Sequence, residues 1–208
     1  MEKLLPLFPL NLVVFPGEEL NLHIFEPRYK QLINDCLKEK STFGIPSHVI
    51  NKIEYGTEVK ITSLEKTYSD GRMDIKTLGV SEFKVVEFHN PMSGKLYSGG
   101  VVDIIEIADD ADPKFESKIL EKAHDLFRWL QVEDEIDLSG KNIYQFIHKI
   151  GLKPEEEYQL LKTTSESLRQ RYIYDHLVKI LPALERAEKA KEKIRMNGHF
   201  KHLDPLKF

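Results

Sequence analysis

The chain has 208 residues, 41% of them hydrophobic and 31% charged, with a formal net charge of −4 and one cysteine. This size admits one core or two small packed lobes, and a single thiol excludes an intrachain disulfide framework of the secreted kind. A mildly acidic balance without a basic stripe argues against a nucleic-acid binder.

The first 29 residues hold three apolar runs, each closed by proline: Leu5-Pro6-Leu7-Phe8-Pro9-Leu10, Val13-Val14-Phe15-Pro16-Gly17, and Leu22-His23-Ile24-Phe25-Glu26-Pro27. Proline lacks a ladder donor and sits at edges, strand starts and turns. The pattern predicts a short edge strand, a tight turn at Pro16-Gly17, a second strand, and a helix opening at Pro27. The stretch Leu4 to Pro16 is too short to span a bilayer. It is broken by Pro6 and Pro9 and runs into Glu18-Glu19, which is not a signal-peptide pattern. A soluble, cytoplasmic protein is the expectation.

Tyr29, Leu32, Ile33, Cys36 and Leu37 recur at helical spacing, predicting a helix from Pro27 to about Glu39. Cys36 falls inside it and reads as a buried hydrophobe. A strand at Phe43-Gly44-Ile45-Pro46 follows. Glu58–Leu64 and Met73–Leu78 alternate polar and apolar around the turn Ser69-Asp70-Gly71-Arg72, the mark of a hairpin. Further strands are expected at Phe83–Phe88 and between Tyr97 and Ile107, in one or two pieces. Short strands with turns between them make a compact barrel or sandwich.

Ala108–Pro113 is small and acidic and reads as a boundary, with Asp112 placed to cap a helix. Phe115, Ile119, Ala123, Leu126, Phe127 and Leu130 then form one apolar face, with Trp129 expected to pack among helices. An acidic loop is expected at Glu133-Asp134-Glu135. Ile143, Phe146, Ile147 and Ile150 read as a short helix stopped by Gly151. Pro154 opens another. Ser165 can cap a last helix with Leu168, Tyr172, Leu177, Leu181 and Leu184 on its apolar face and Pro182 as a kink or interruption. Arg186–Arg195 is a solvated helix end, and Asn197 onward a frayed tail.

The chemistry-bearing motifs are few. Gly94-Lys95 and Gly140-Lys141 lack the preceding glycine and following hydroxyl of a phosphate loop. His199 and His202 are close together without a third ligand, so no metal is expected. Serines, histidines and acids are scattered, so no catalytic residue is assigned. The candidate binding residues are His23, Phe25, Glu26, Arg28 and Tyr29, which could border a groove for a peptide backbone or polar side chain. The structural alternative carries the greater weight: Arg28 pairs with Glu26 or a neighbouring carboxylate and fixes the strand-to-helix corner. Phe8, Phe15, Phe25, Phe43, Phe83 and Phe88 are expected to be mostly core.

Leu5–Leu10, Val13, Phe15-Pro16-Gly17, Leu20, Leu22 and Ile24–Tyr29 together resemble the opening signature of the Lon substrate-binding (Lon N-terminal) domain family. Phe43-Gly44-Ile45, Tyr55–Ile61, and Asp70-Gly71-Arg72 with Ile75, Leu78, Gly79 and Phe83-Lys84-Val85 follow in the family's order. The resemblance covers residues 4 to 107, and the rest matches in pattern only. It implies an α+β fold: a PUA-like β-barrel lobe over 1–110, a helical lobe over 111–196, and a flexible tail over 197–208. Lon proteases use this domain to recognise unfolded or damaged substrates, which attached ATPase and Ser-Lys protease domains destroy. This chain ends at Phe208 with neither segment, so the resemblance implies a stand-alone, ATP-independent, non-enzymatic module without cofactor. Its partners would be unfolded or partly folded polypeptides in protein quality control, with a protease or chaperone alongside, and neither nucleic acid nor membrane. The alternative is a PUA-like protein that binds RNA or a small ligand.

Overall fold

The structure is a computed structural model that describes residues 1–130 and 143–199. Its elements are strands β1 (Glu2–Leu7) and β2 (Glu19–Ile24), helix α1 (Pro27–Glu39), strands β3 (Phe43–Pro46), β4 (Tyr55–Thr67), β5 (Met73–Val85) and β6 (Ser98–Ile104), and helices α2 (Pro113–Trp129), α3 (Pro154–Lys162) and α4 (Glu166–His199). Two compact units form. One takes Met1–Ala111 with Gly140–Arg169, and the other Asp112–Ser139 with Gln170–Phe208.

In the first unit the six strands order as β2-β5-β4-β3-β1-β6, and β6 pairs back onto β5, closing the sheet into a barrel with β2 attached outside the ring. The fold is α+β as expected. β1 is not an edge strand: it pairs antiparallel with β6 along its length and parallel with β3 at Leu7↔Gly44. Pro6 is tolerated there because of backbone parity. Phe8 N–H donates to Gly44 O, so by alternation the donor that Pro6 lacks would face β3, and β3 reaches β1 only at Leu7.

The second apolar run forms no strand. Val13, Val14 and Phe15 are buried in a loop. Phe15 N–H donates to Glu18 Oε2 at 2.9 Å, and the Thr57 hydroxyl donates to Val14 O. The Pro16-Gly17 turn is realised with Gly17 at φ 80°. Gly17 N–H reaches Gly79 O at 3.0 Å, while Gly79 N–H reaches Glu18 O at 2.9 Å, a bulge that needs the left-handed glycine.

The two strands expected at Met73–Leu78 and Phe83–Phe88 are one. β5 runs through Gly79 to Val85 and pairs with β2 at its start and β6 at its end. A Cβ on Gly79 would lie 2.2 Å from Phe15 O, so only glycine lets the strand pass beneath that loop. Residues Tyr97 to Ile107 supply the single strand β6.

Helix α1 forms where its apolar spacing predicts. It buries Tyr29, Leu32, Ile33 and Cys36 against Phe8, Phe43, Ile45, Val59 and Ile75. Residues 143–150 make two short 3-10 turns, Ile143–Gln145 and Ile147–Lys149, rather than one helix, with Gly151 following at φ 82°. These turns, α3 and the first turn of α4 belong to the barrel unit, and a buried ion pair ties that first turn of α4 to β5. Arg169 NH1 lies 2.8 Å from Glu82 Oε1, with side-chain exposures of 2% and 3%.

In the second unit the Asp112 carboxylate caps α2 by accepting from Lys114 N–H at 2.9 Å. Ile119, Ala123, Leu126 and Phe127 are buried, whereas Leu130 and Trp129 are exposed, against expectation. Trp129 ends the helix, beyond the turn that carries the buried face. On α4 Leu177 is buried as expected, together with Ile173, whereas Leu168 and Tyr172 are exposed. Phe115 and Tyr174 pack with ring centroids 4.9 Å apart. α4 runs unbroken through Pro182. Its solvated end carries Lys189–Glu185 and Lys191–Glu188 pairs. The acidic loop 133–135 and the residues from 200 onward lie outside the described residues.

Candidate functional site

The five candidate residues straddle the end of β2 and the start of α1. Pro27 occupies the first turn of α1, where a missing N–H costs nothing. Glu26 precedes it and accepts from Tyr29 N–H and Lys30 N–H through its carbonyl. Its side chain does not cap the helix but holds Arg28, whose Nε donates to Glu26 Oε2 at 2.9 Å with NH2 at 2.8 Å. The guanidinium also lies 4.5 Å from the Tyr29 ring centroid. The Tyr29 ring is buried and stacks on Phe8 at 3.7 Å. Burial pushes its phenol above the usual tyrosine range, against the opposing pull of Arg28.

Arg28 and Tyr29 line a shallow groove of about 380 Å³. Leu10, Ile53 and Phe88 give it apolar walls, and His48, Asn11 and Asn90 give it polar ones. The Ser98 hydroxyl donates to Asn90 Oδ1 at 3.0 Å, which leaves the amide NH2 as a donor. The groove thus combines an aromatic and aliphatic lining with a cation and several hydrogen-bonding groups.

His23, Phe25 and Glu26 do not line it. His23 Nδ1 sits 2.6 Å from Asp74 Oδ1, and the Tyr68 hydroxyl donates to Asp74 Oδ2 at 2.8 Å. These two contacts hold the Asp74 carboxyl below the usual range. Phe25 is 59% exposed and stacks loosely on His23, with centroids 6.2 Å apart, so it is not core. Phe88 is half-buried, while Phe8, Phe15, Phe43 and Phe83 are core as expected.

A second cluster escaped sequence reasoning. His148 bridges Glu18 and Glu157, with Nε2 3.0 Å from Glu18 Oε1 and Nδ1 2.8 Å from Glu157 Oε1. Partial burial alone would lower its pKa, but the two carboxylates override that and raise it to about 10. The ring is therefore an imidazolium clamp between the Pro16-Gly17 turn and α3. Beside it, Gly17, Glu18, Glu19, Leu78, Gln145 and Lys149 border a cleft of about 510 Å³. No short motif announces this cluster, because its members lie far apart in the chain.

Among the described residues no group of three or more His, Cys, Asp or Glu side chains could hold a metal, and no helix is long and apolar enough to cross a membrane. The His199/His202 pair falls outside the described side chains.

Comparison with known proteins gives a consistent result. Residues 4–179 match the family described as the ATP-dependent protease La (LON) substrate-binding domain. The fold superposes on the crystal structure of a Lon N-terminal domain protein from Xanthomonas campestris with a TM-score of 0.62 and 25% identity, over 81% of this chain and 95% of that one. It also superposes on the N-terminal domain of the Mycobacterium avium complex Lon protease, with a TM-score of 0.58 and 15% identity, over 85% of this chain and 98% of that one. Protein cereblon of Danio rerio is 27% identical over 99 residues, which are 43% of this chain and 23% of that protein. The match therefore spans less than a quarter of that relative's length.

Proposed function

Because this chain belongs to the Lon substrate-binding domain family, we propose that its substrate-recognition surface binds polypeptide, specifically unfolded or partly folded segments with exposed apolar side chains, and that it does so without catalysis. The groove at the head of α1 is the observation that carries this reading. Its apolar lining of Leu10, Tyr29, Ile53 and Phe88 would accept an apolar side chain, while Arg28, His48 and Asn90 would meet the carbonyls of an extended backbone. Arg28 and Tyr29 are the binding residues in this proposal, and Glu26 holds Arg28 in position. The setting we infer is cytoplasmic protein quality control, upstream of a protease or chaperone partner.

The test is binding of one labelled protein in two states, native and permanently unfolded by reduction and alkylation, followed by fluorescence anisotropy. The unfolded form should bind at least about tenfold more tightly, a difference of ~1.4 kcal/mol. Arg28→Met should weaken that binding with little change in the melting temperature. Equal affinity for the folded and unfolded forms would overturn the reading.

A further inference from the structure

The geometry points to a second contact surface for the same clients: the outer edge of β2, where an extended segment adds as a further strand. This rests on the polypeptide-binding reading above and says where and how the backbone is gripped. Among the described residues β2 is the terminal strand of the sheet and pairs only with β5. The phase of that pairing follows from Gly79 N–H donating to Glu18 O. Two, four and six residues on, Leu20, Leu22 and Ile24 turn their backbone groups toward Thr77, Ile75 and Met73. Glu19, Asn21 and His23 therefore turn theirs away from the sheet. Among the described residues these three N–H and three C=O groups have no backbone or side-chain partner.

Alternating donors and acceptors at two-residue spacing, about 7 Å apart, are the complement of another extended chain and of little else. Natural sheets usually disarm such an edge with proline, lysine or a bulge. Glu19–Ile24 contains no proline and no lysine, and its register with β5 is continuous. One end of the edge opens into the cleft of about 510 Å³ that Glu19 borders. The other end leads to the exposed ring of Phe25.

The side chains narrow the client's chemistry. Leu20 and Leu22 are half-buried and pack on the barrel core, so every second side chain of the added strand rests beside them and should be apolar. Glu18 is matched by His148, whereas Glu19 is exposed and has no ion pair among the described residues. A lysine or arginine of the client would complement it. The occupant is thus a proline-free extended segment of alternating apolar pattern with a basic residue at one end.

The probe is a short fluorescein-labelled peptide of alternating valine and threonine ending in arginine. It is compared with the same peptide N-methylated at every second amide, which keeps the side chains and removes the donors facing β2. Wild-type protein should bind the N-methylated peptide about tenfold more weakly or worse. Asn21→Pro removes one outward N–H while leaving the Leu20 and Leu22 bonds to β5, and should weaken the parent peptide similarly. Glu19→Lys should reverse the preference toward a peptide ending in aspartate. Equal binding of the two peptides would overturn strand addition, and this comparison decides the matter even if Asn21→Pro fails to fold. A β2-mediated dimer, seen by sedimentation and lost in Asn21→Pro, would overturn it in favour of a second copy of this chain. If the unfolded protein binds but neither peptide does, only this inference falls. If neither the unfolded protein nor the peptide binds, the polypeptide-binding reading falls with it.

Discussion

Cutting the Glu82–Arg169 pair from one side should be far more damaging than removing both partners together. Both side chains are almost wholly buried, and Arg169 NH1 is 2.8 Å from Glu82 Oε1. Arg169 Nε also donates to Thr163 O at 2.7 Å, and NH2 donates to Leu161 O at 3.4 Å. Glu82→Leu leaves the buried guanidinium with only the partly exposed Glu166 carboxylate, 4.0 Å away, as counter-charge, at a cost of roughly 3 kcal/mol. Arg169→Met leaves a carboxylate in the same position and two carbonyls without their donors, for a loss of about the same size or larger. The double variant removes both charges and fills the space with apolar atoms. Its cost should be about 1–3 kcal/mol, set mainly by those two carbonyls. Urea unfolding followed by circular dichroism supplies the four corners of the cycle, with the midpoint of the barrel transition as readout. A double variant as unstable as the two single losses added together would refute the argument, because it would show that the charges do not answer each other.

The His148 clamp gives a pH dependence of definite sign. Its folded-state pKa of about 10 lies above the ordinary 6.5, so its stabilisation is fully present below pH 6.5 and is lost as pH rises toward 10. The ring is about a third open to water, so solvent screening limits the loss to ~1–2 kcal/mol. Thermal melts of wild type and His148→Gln should converge as pH rises through that window, and a constant gap would contradict the clamp. Gly79→Ala places a Cβ 2.2 Å from Phe15 O and should cost about 2 kcal/mol or more, read as a lowered urea midpoint. Phe25→Ser, at a ring 59% exposed, should change stability by no more than about 0.5 kcal/mol, which a thermal melt checks directly.

Local order was legible in the sequence and long-range pairing was not. The helix at Pro27–Glu39, the Asp70-Gly71 hairpin and the Asp112 cap depend on residues a few positions apart, and their spacing shows in the chain. The interior position of β1 depends on parallel contact with a strand beginning at Phe43, and nothing near Pro6 announces it. β5 reads as two strands until Gly79 is seen beneath the Phe15 carbonyl. In α4 the expected stripe through Leu168 and Tyr172 misses the buried Ile173 by one position, because both stripes are apolar and only packing chooses between them. At the candidate site, Arg28 and Tyr29 could be found from their place beside Pro27. Their groove neighbours Leu10, His48 and Asn90 come from three separate loops, and no spacing rule joins them.

The burial of Arg169 also bears on where this protein can be divided. A fragment stopping at Ala111 would contain every described strand of the barrel. It would nevertheless expose the Glu82 carboxylate, free the Pro16-Gly17 turn from His148, and strip Phe15 of the Tyr144 ring stacked 5.1 Å away. The barrel is completed by a stretch of chain that returns to it after α2. Its smallest autonomous form must therefore keep that late segment, however self-sufficient the strands look when drawn alone.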